Sequence, residues 1–282
     1  MISTRYDNFY KNQNLKSFAM YVIKASGEKE KFLPSKLYAT LVRAGADGKI
    51  ANSIVDHVKK EVYDGITTQE ILNHALALLR DQKPEISARY NLKRAIMNLG
   101  PTGFPFERFF AAVLQNYGYE TQTGKIVKGK IITHEVDVIA KNKKTYMVEC
   151  KYHNAIGIYT DVKVALYTYA ALLDMKDKFD GAWIATNTRC SEQAKQYARG
   201  MGIKITSWEY PEGESLRDLI EKKKLYPLTV LRSLDHDVNW KLSDAGIFLT
   251  KDLIEMDFNK LKSKTKLPET ILKRLVSDAQ SL

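Results

Sequence analysis

Three charged side chains in the middle of the chain have the types and spacing that metal-assisted hydrolysis requires. Asp137 lies in a segment of alternating apolar and polar residues, and Glu149 and Lys151 lie two residues apart in the next such segment. Two carboxylates suit a hard divalent cation, which takes oxygen ligands and keeps water molecules for reaction. The cation would polarise a phosphate oxygen and lower the pKa of an attacking water, and a lysine ammonium would orient that water.

These side chains can act together only if two β-strands present them on a shared face. Side chains alternate between the two faces of a strand, so the pattern around Asp137 predicts a half-buried strand with Asp137 on its open face. In the next predicted strand, Glu149 and Lys151 share one face and Cys150 lies on the other. A hairpin joining the two strands would bring Asp137 beside Glu149 and Lys151, with the thiol of Cys150 directed away.

The segments around this hairpin predict a mixed β-sheet flanked by helices. A helix is expected over 106–117, where aromatic and aliphatic residues form an apolar stripe with Glu107 at its edge. The predicted strands are 131–140, 145–152, 181–186 and 203–208, and the later helices are 161–173 and 191–200. The predicted fold class is therefore α/β in this region and α+β for the chain as a whole.

The two ends of the chain have different patterns. Residues 20–100 predict a short hairpin followed by four helices, the third opened by a capping box from Thr67 to Glu70. From residue 225 onward the apolar spacing predicts a small all-α module. The predicted domains are an N-terminal extension (1–19), a mainly helical domain (20–103), the sheet domain (104–212) and the helical module (213–282).

Composition narrows the class of protein and the class of partner. The chain has 282 residues, 44% of them apolar, and a formal net charge of +11 that is spread along its length. An excess of basic residues favours a polyanionic partner, nucleic acid before membrane. No apolar stretch approaches the roughly 20 residues of a membrane span, the N-terminus has no secretory signal pattern, and only Cys150 and Cys190 are present. These features predict a cytoplasmic protein without a membrane partner.

A longer pattern surrounds the three charged residues and extends over about a hundred positions. It consists of Phe106-Glu107, Gly118-Tyr119, His134-Glu135-Val136-Asp137-Val138-Ile139, Val148-Glu149-Cys150-Lys151-Tyr152, Trp183-Ile184-Ala185-Thr186 and Ser191-Glu192-Gln193-Ala194-Lys195. This pattern resembles the Mrr-like restriction endonuclease branch of the PD-(D/E)xK superfamily. The literal Pro-Asp dipeptide of the motif is absent, and Val136-Asp137 stands in its place.

The resemblance implies a set of roles for individual residues. Glu107, Asp137, Glu149 and Lys151 would be catalytic. Asp137 and Glu149, with the backbone carbonyl of Cys150, would bind Mg²⁺ or Mn²⁺. The expected partner is double-stranded DNA in preference to RNA. His134 and His153 lie near the predicted site, and we interpret them as structural strand-end residues in preference to phosphate or proton-transfer groups.

The N-terminal segment carries a second resemblance. Its motif runs Val22-Ile23-Lys24, Gly27, Glu30, Phe32 and Lys36-Leu37, followed by Tyr63-Asp64-Gly65-Ile66-Thr67-Thr68-Gln69-Glu70-Ile71. It is similar to the ATP-cone domain, a regulatory nucleotide sensor. The resemblance implies a pocket for ATP or dATP lined by Val22, Lys24, Glu30, Lys36 and Thr68, with the two lysines on the phosphates. The family's Lys-Arg-Asp-Gly run is Lys24-Ala25-Ser26-Gly27 in this chain, and losing the arginine would weaken phosphate binding or change its preference.

The C-terminal segment resembles a helix-hairpin-helix module. The residues concerned are Ala245-Gly246-Ile247, Leu253 and Lys266-Leu267-Pro268, although the usual hairpin glycine is missing. Such a module holds phosphates through backbone amides and lysines without reading sequence. Here Lys260, Lys262, Lys264 and Lys266 would supply the positive rim. A helical module that binds another protein is the alternative.

Together these patterns predict a Mg²⁺-dependent, nucleotide-regulated DNA endonuclease of the restriction or defence type. A dimer is expected, because cutting both strands takes two sites. Two alternatives remain open from the sequence. One is a nucleotide-sensing DNA-binding regulator with an inactive nuclease fold, and the other is an RNA-processing nuclease.

Overall fold

The structure, a computed structural model, describes residues 20–24, 27–43, 45–82, 84–100, 102–155, 157–231 and 233–282. The predicted N-terminal extension (1–19) and the Ala25-Ser26 departure from the cone motif lie outside the described residues. The chain separates into two units, with the boundary between Asn91 and Leu92.

The first unit combines a short antiparallel hairpin with helices, as its sequence pattern predicts. Its described elements are β1 (Tyr21–Ile23), β2 (Lys29–Lys31), α1 (Pro34–Arg43), α2 (Gly48–Glu61), α3 (Thr68–Gln82) and α4 (Pro84–Met97), the last of which continues past Asn91. The predicted capping box is present: the Thr67 hydroxyl accepts from the Glu70 N–H at 3.1 Å, and the Glu70 carboxylate accepts from the Thr67 N–H at 2.9 Å. The apolar faces of the helices form one buried cluster that includes Leu41, Ile54 and Leu79.

The second unit contains a mixed β-sheet, which confirms the predicted fold class. Its described elements are α5 (Phe104–Asn116), β3 (Glu120–Lys128), β4 (Thr133–Lys141), β5 (Thr145–Lys151), β6 (Tyr159–Thr160), α6 (Val162–Asp174), β7 (Gly181–Thr186), β8 (Arg189–Cys190), α7 (Glu192–Met201), β9 (Lys204–Thr206) and α8 (Leu216–Lys223). The main sheet has the order β3-β4-β5-β7-β9. β3, β4 and β5 are antiparallel neighbours, and β5, β7 and β9 are parallel.

Aromatic residues hold α5 against this sheet. Phe106, Phe109 and Phe110 are fully buried on α5. The rings of Phe110 and of Trp183 on β7 are nearly perpendicular, with 5.8 Å between ring centroids and an interplanar angle of 88°. The indole N–H of Trp183 donates to the Thr206 hydroxyl on β9 at 3.0 Å. This packing fixes the start of α5, and therefore Glu107 in its first turn, relative to the strands.

The predicted strand and helix limits lie within a few residues of the observed ones, with one main omission. The sequence pattern does not predict β3, a nine-residue strand whose side chains are almost all polar or exposed. It is a strand because it pairs with β4 along its length, from Glu120 opposite Lys141 to Lys128 opposite Thr133. Edge strands of this kind are defined by their partner more than by their own apolar pattern.

The C-terminal segment is helical, as predicted, in its described part. A short 3₁₀ turn (Leu228–Val230) precedes α9 (His236–Asp244), α10 (Thr250–Glu255), α11 (Phe258–Thr265) and α12 (Glu269–Gln280). Leu242, Leu261, Leu272 and Leu275 are fully buried. None of the helices in the described residues is long and apolar enough to cross a membrane.

Candidate active site

The predicted catalytic residues of β4 and β5 lie close together where the ladder between these two strands ends. Their ladder runs from Lys141 opposite Thr145 to Val138 opposite Val148. Asp137 is the next residue of β4 beyond this ladder, and its Oδ2 accepts a hydrogen bond of 2.7 Å from the backbone N–H of Cys150. The carboxylate of Asp137 is therefore held against the segment that carries Glu149 and Lys151.

Glu149 and Lys151 share a face of β5, as the alternation predicts. The Lys151 ammonium lies 3.3 Å from Oε1 of Glu149, and the lysine side chain is 45% exposed whereas the glutamate side chain is 13% exposed. The ammonium is thus open to solvent and to a ligand, while its partner carboxylate is nearly enclosed. Cys150, between them, is buried on the other face.

Glu107 approaches the same cluster from the first turn of α5. Burial, followed by repulsion from nearby carboxylates, raises the pKa of Glu107 to about 7. Those carboxylates belong to Asp137, Glu135 and Glu149. Burial and the charge of Glu149 likewise raise the pKa of Asp137 to about 6, against the opposing hydrogen bond from the Cys150 N–H and the charge of Lys151. The four residues predicted to be catalytic therefore lie within electrostatic reach of one another.

Glu135 is an acidic residue that the sequence prediction places on the open face of β4 but does not include in the site. It is exposed, and its charge contributes to the raised pKa of both Glu107 and Asp137. Its position two residues before Asp137 on the same face is the signal that could have included it.

The donors around Asp137 fit a hard cation that retains water ligands. Among the described residues, no group of three or more Asp, Glu, His or Cys side chains is arranged to hold a metal ion by side chains alone. Mg²⁺ characteristically binds through one or two carboxylates plus water and substrate phosphate. The carboxylates of Asp137 and Glu149 and the carbonyl of Cys150 are such a set, and a cation between them would relieve the repulsion that raises the pKa of Asp137.

The two histidines near the site have structural partners. His134 is buried, and its Nε2 lies 2.8 Å from Oδ2 of Asp174 at the end of α6. His153 Nε2 lies 3.1 Å from the Thr160 hydroxyl, and its backbone N–H donates to Oδ1 of Asn187 at 2.9 Å. Burial, followed by the charge of Lys151, lowers the pKa of His153. These contacts agree with the interpretation of both residues as structural.

A second cluster, in the first unit, contains three of the residues predicted to bind a nucleotide. The Glu30 carboxylate lies between two ammonium groups, 3.0 Å from Lys24 and in direct contact with Lys36. Hydrogen bonds first from Lys36 and then from Lys24 lower the pKa of Glu30. Thr68 is exposed at the start of α3, whereas Val22 is buried in the helical core.

The lysines predicted to form a rim in the C-terminal segment lie around α11. Lys260, Lys262, Lys264 and Lys266 are all exposed. The ammonium of Lys262 is 3.1 Å from the Glu269 carboxylate on α12. Lys266 ends α11 in the left-handed conformation, with φ of 53°, which is a position where helices most often have glycine.

A cavity of about 330 Å³ that the sequence prediction did not include lies at the carboxyl ends of β7 and β9, where Thr188 and Trp208 line it. Lys93 of α4 lines it, with its Nζ 4.5 Å from the Trp208 ring centroid and 2.7 Å from the Asn187 carbonyl oxygen. Burial lowers the pKa of Lys93 to about 8.

Comparison with known proteins places these features in a family. Family models match three consecutive segments: an ATP cone domain over 20–98, a restriction endonuclease domain over 101–219 and an AF1548-like C-terminal domain over 226–282. A protein of Archaeoglobus fulgidus, described as uncharacterized, is 46% identical over 154 residues, which are 54% of this chain and 87% of the relative. The chain belongs to the AF1548-like family.

One solved structure supports this assignment, and a second shows only a weak likeness. The crystal structure of AF1548, a protein of unknown function, matches with a TM-score of 0.58 and 40% identity, covering 64% of this chain and 97% of that protein. Can2 from Sulfobacillus thermosulfidooxidans, solved with cyclic tetra-adenylate, matches with a TM-score of only 0.35 and 12% identity over 72% of this chain and 66% of that one. By its family-model matches, this member of the AF1548-like family combines an ATP cone with a Mrr-like nuclease domain of the PD-(D/E)xK type, and these two predicted resemblances are confirmed. The C-terminal segment matches the AF1548-like C-terminal domain, and its resemblance to a helix-hairpin-helix module stays a prediction.

Proposed function

We propose that this chain is a divalent-metal-dependent endonuclease that hydrolyses phosphodiester bonds of DNA, with Glu107, Asp137, Glu149 and Lys151 at its active site. The observation that carries the proposal is the hydrogen bond from the Cys150 N–H to Asp137, which sets one carboxylate beside Glu149 and Lys151. The restriction endonuclease match over 101–219 supports the same class of reaction.

Asp137, Glu149 and the carbonyl of Cys150 would hold Mg²⁺ or Mn²⁺. When bound, such a cation polarises the phosphate and lowers the pKa of the attacking water. The residues themselves have separate tasks. The Cys150 N–H keeps the Asp137 carboxylate in one orientation, the exposed ammonium of Lys151 orients the water and stabilises charge on the phosphate, and Glu107 orients a second water.

A cleavage assay tests the proposal directly. Supercoiled plasmid is incubated with the full chain and Mg²⁺, and Lys151→Ala is compared with Lys141→Ala, which removes an exposed lysine at the far end of β4. We expect Lys151→Ala to slow cutting by about 100-fold or more, as loss of a transition-state donor does, and Lys141→Ala to cut like the wild type. Plasmid that is bound but never cut would favour a DNA-binding regulator, and cutting of RNA alone, offered side by side, would favour an RNA-processing nuclease.

Nucleotide binding at the cone is the regulatory part of the proposal. The triphosphate of ATP or dATP would displace the Glu30 carboxylate from Lys24 and Lys36, which already converge on one anionic group. Isothermal titration with ATP and dATP before and after Lys24→Ala tests this, with Lys60→Ala on α2 as the matched control. Unchanged affinity in Lys24→Ala would count against the assigned pocket.

Two further assignments complete the proposal. The C-terminal helices would hold nucleic-acid backbone through the lysines around α11, and the active form would be a dimer, because double-strand cleavage takes two active sites. Sedimentation of the full chain with and without duplex DNA tests whether the active form is a dimer. A restriction or defence role agrees with the Mrr-like domain and would appear as reduced transformation by foreign plasmid in cells that express the wild type but not Lys151→Ala.

A further inference from the structure

The turn between β3 and β4 presents two isoleucines to solvent. Ile131 is 84% exposed and Ile132 is 60% exposed. β4 pairs with β5 only from Val138 to Lys141, whereas its ladder with β3 continues to Thr133. The two isoleucines therefore lie at the end of a two-stranded ribbon that extends beyond the pairing with β5.

A carboxylate at the end of α6, with only 9% of its side chain exposed, fixes the conformation of this turn. Oδ1 of Asp174 accepts from the Ile131 N–H at 2.7 Å, and Oδ2 accepts from the Ile132 N–H at 3.2 Å and contacts His134 Nε2 at 2.8 Å. Burial alone would raise the pKa of Asp174, but these hydrogen bonds outweigh it and hold that pKa below its ordinary value. A Cβ atom at Gly129 would lie 2.1 Å from the Asp174 carboxylate, so the close approach requires glycine.

Lysines surround the two isoleucines. Lys128 and Lys130 flank the turn, and Lys176 and Lys178 follow α6 beside it; all four are exposed. The ammonium of Lys178 donates to the carbonyl oxygen of Lys128, which ties the two segments together. We call this surface, formed by residues 128–132 and 175–178, the basic turn. With four lysines against Asp177, it combines an apolar tip held by hydrogen bonds with a border of net positive charge.

The basic turn lies toward the catalytic end of β4. If the β4–β5 register is continued, Lys151 is level with Glu135, and Ile132 is three residues further along. At about 3.3 Å per residue the tip is roughly 10 Å beyond Lys151 along the strand direction. The major groove of B-DNA is roughly 12 Å wide, so the distance from Lys151 to the tip is close to the width of that groove. The turn at 142–144 lies at the opposite end of β4, away from Lys151.

We propose that the basic turn is a contact element for duplex DNA, in which its lysines bind phosphates and Ile131 and Ile132 enter a groove. This inference rests on the proposed function, whose substrate it helps to position. A two-stranded ribbon fits the major groove, and apolar side chains contact thymine methyl groups or wedge against base steps. Charge favours DNA over a second copy of the chain, because self-association through this surface would bring like-charged lysines together.

The test measures DNA binding without cleavage. The full chain is titrated in EDTA against a fluorescently labelled 30-base-pair duplex, and the anisotropy is followed at several salt concentrations. The variants are Lys128→Ser/Lys130→Ser, Ile131→Ser/Ile132→Ser, and the control Lys143→Ser/Lys144→Ser, which removes the same charge from the opposite turn. All six side chains are exposed, so each variant is expected to fold.

We expect Lys128→Ser/Lys130→Ser to raise Kd about tenfold and to reduce the slope of log K against log salt by about 1.8, the value for two lost phosphate contacts. The isoleucine variant should raise Kd with an unchanged slope, and the control should stay within about twofold of wild type. Turn variants that bind like the wild type, equal losses in all three variants, or a wild type that binds no duplex would each overturn the inference.

The same series separates this inference from the proposed function. If the wild type cuts plasmid in Mg²⁺ while the turn variants bind DNA normally, only the contact element is refuted. If the wild type binds duplex without cutting and the turn variants weaken that binding, the contact element stands and the nuclease assignment fails. Sedimentation of the isoleucine variant adds one more outcome: altered self-association with unchanged Kd would identify the turn as a protein interface and refute the inference.

Discussion

The backbone N–H of Cys150 donates a hydrogen bond of 2.7 Å to Oδ2 of Asp137, across the point where their two strands separate. A backbone group cannot change rotamer, so this contact orients the carboxylate before any ligand arrives. The same contact opposes the effects of burial and of Glu149, which raise the pKa of Asp137. The arrangement holds negative charge in a position where it is unfavourable until a cation neutralises it.

We therefore predict opposite effects of Asp137→Asn on stability in the absence and presence of metal. The amide keeps an acceptor for the Cys150 N–H but removes the crowded charge, so the metal-free protein should be more stable than wild type by about 1 kcal/mol at pH 7. The rise in Tm that Mg²⁺ or Mn²⁺ produces in the wild type should be lost. Thermal unfolding in EDTA and in Mn²⁺ measures both.

Glu120→Gln, at the exposed start of β3, is the matched carboxylate control and should respond to metal like the wild type. An Asp137→Asn variant that gains as much Tm from Mn²⁺ as the wild type would contradict the assigned metal site.

A pH-dependent contribution to stability is expected from Lys93. Burial lowers its pKa to about 8 in the folded chain, while an unfolded lysine titrates near 10.4. Between these values the unfolded state binds more protons, so the free energy of unfolding should increase as pH rises from about 8 to about 10. The gain should be roughly 1 kcal/mol, because the partial exposure of the side chain screens the effect.

Lys93→Met removes the titrating group while keeping a side chain of similar length. The free energies of unfolding of wild type and Lys93→Met are measured in urea at pH 7 and pH 9.5. Relative to Lys93→Met, the wild type should be more stable at pH 9.5 than at pH 7. A difference that is the same at both pH values would refute the assigned pKa.

The Trp183–Thr206 hydrogen bond should contribute measurably to the stability of the sheet unit. Both side chains are buried, and Thr206→Val leaves the indole N–H of Trp183 without its acceptor. We expect a loss of about 1–3 kcal/mol in the free energy of unfolding. Thr206→Ser keeps the hydroxyl and should lose less. In the cycle with Trp183→Phe the double variant should lose less than the sum of the single ones, and strict additivity would mean that the bond contributes nothing.

Asp174 should control the rigidity of the turn at 128–132. Asp174→Asn replaces one of the two carboxylate oxygens with an NH₂ group, so the amides of Ile131 and Ile132 cannot both keep their acceptors. Amide hydrogen exchange at these two residues should become about tenfold faster. Asp177→Asn, an exposed carboxylate in the adjacent loop, should leave exchange unchanged. Equal exchange in both variants would show that Asp174 does not hold the turn.

Local periodicity was enough to predict the strands of the candidate site. Asp137 alternates with Val136 and Val138, and β4 has this alternation of burial over Thr133–Lys141. Glu149 and Lys151 flank buried Cys150 in the same way on β5. Because side chains alternate between the two faces of a strand, the alternation of apolar and polar residues is enough to show which side chains face the core.

Other features depend on partners distant in the chain and could not be read locally. β3 has Gly124 at its centre and few apolar residues, and only its ladder with β4 makes it a strand. His134 and Asp174 are 40 residues apart, and the depressed pKa of Lys93 depends on burial in a cavity lined by later loops. Such contacts follow from tertiary packing, for which single-sequence patterns carry no signal.

The burial of both cysteines has a practical consequence for labelling experiments on the turn at 128–132. Cys150 and Cys190 are both buried, and burial raises the pKa of the Cys190 thiol to about 11 and that of Cys150 well above its ordinary value. Neither forms an appreciable thiolate at neutral pH, so maleimide reagents should leave the native chain unmodified. A single Ile131→Cys substitution would then accept a fluorophore selectively, without removing either natural cysteine, and would report on the turn from within the intact protein.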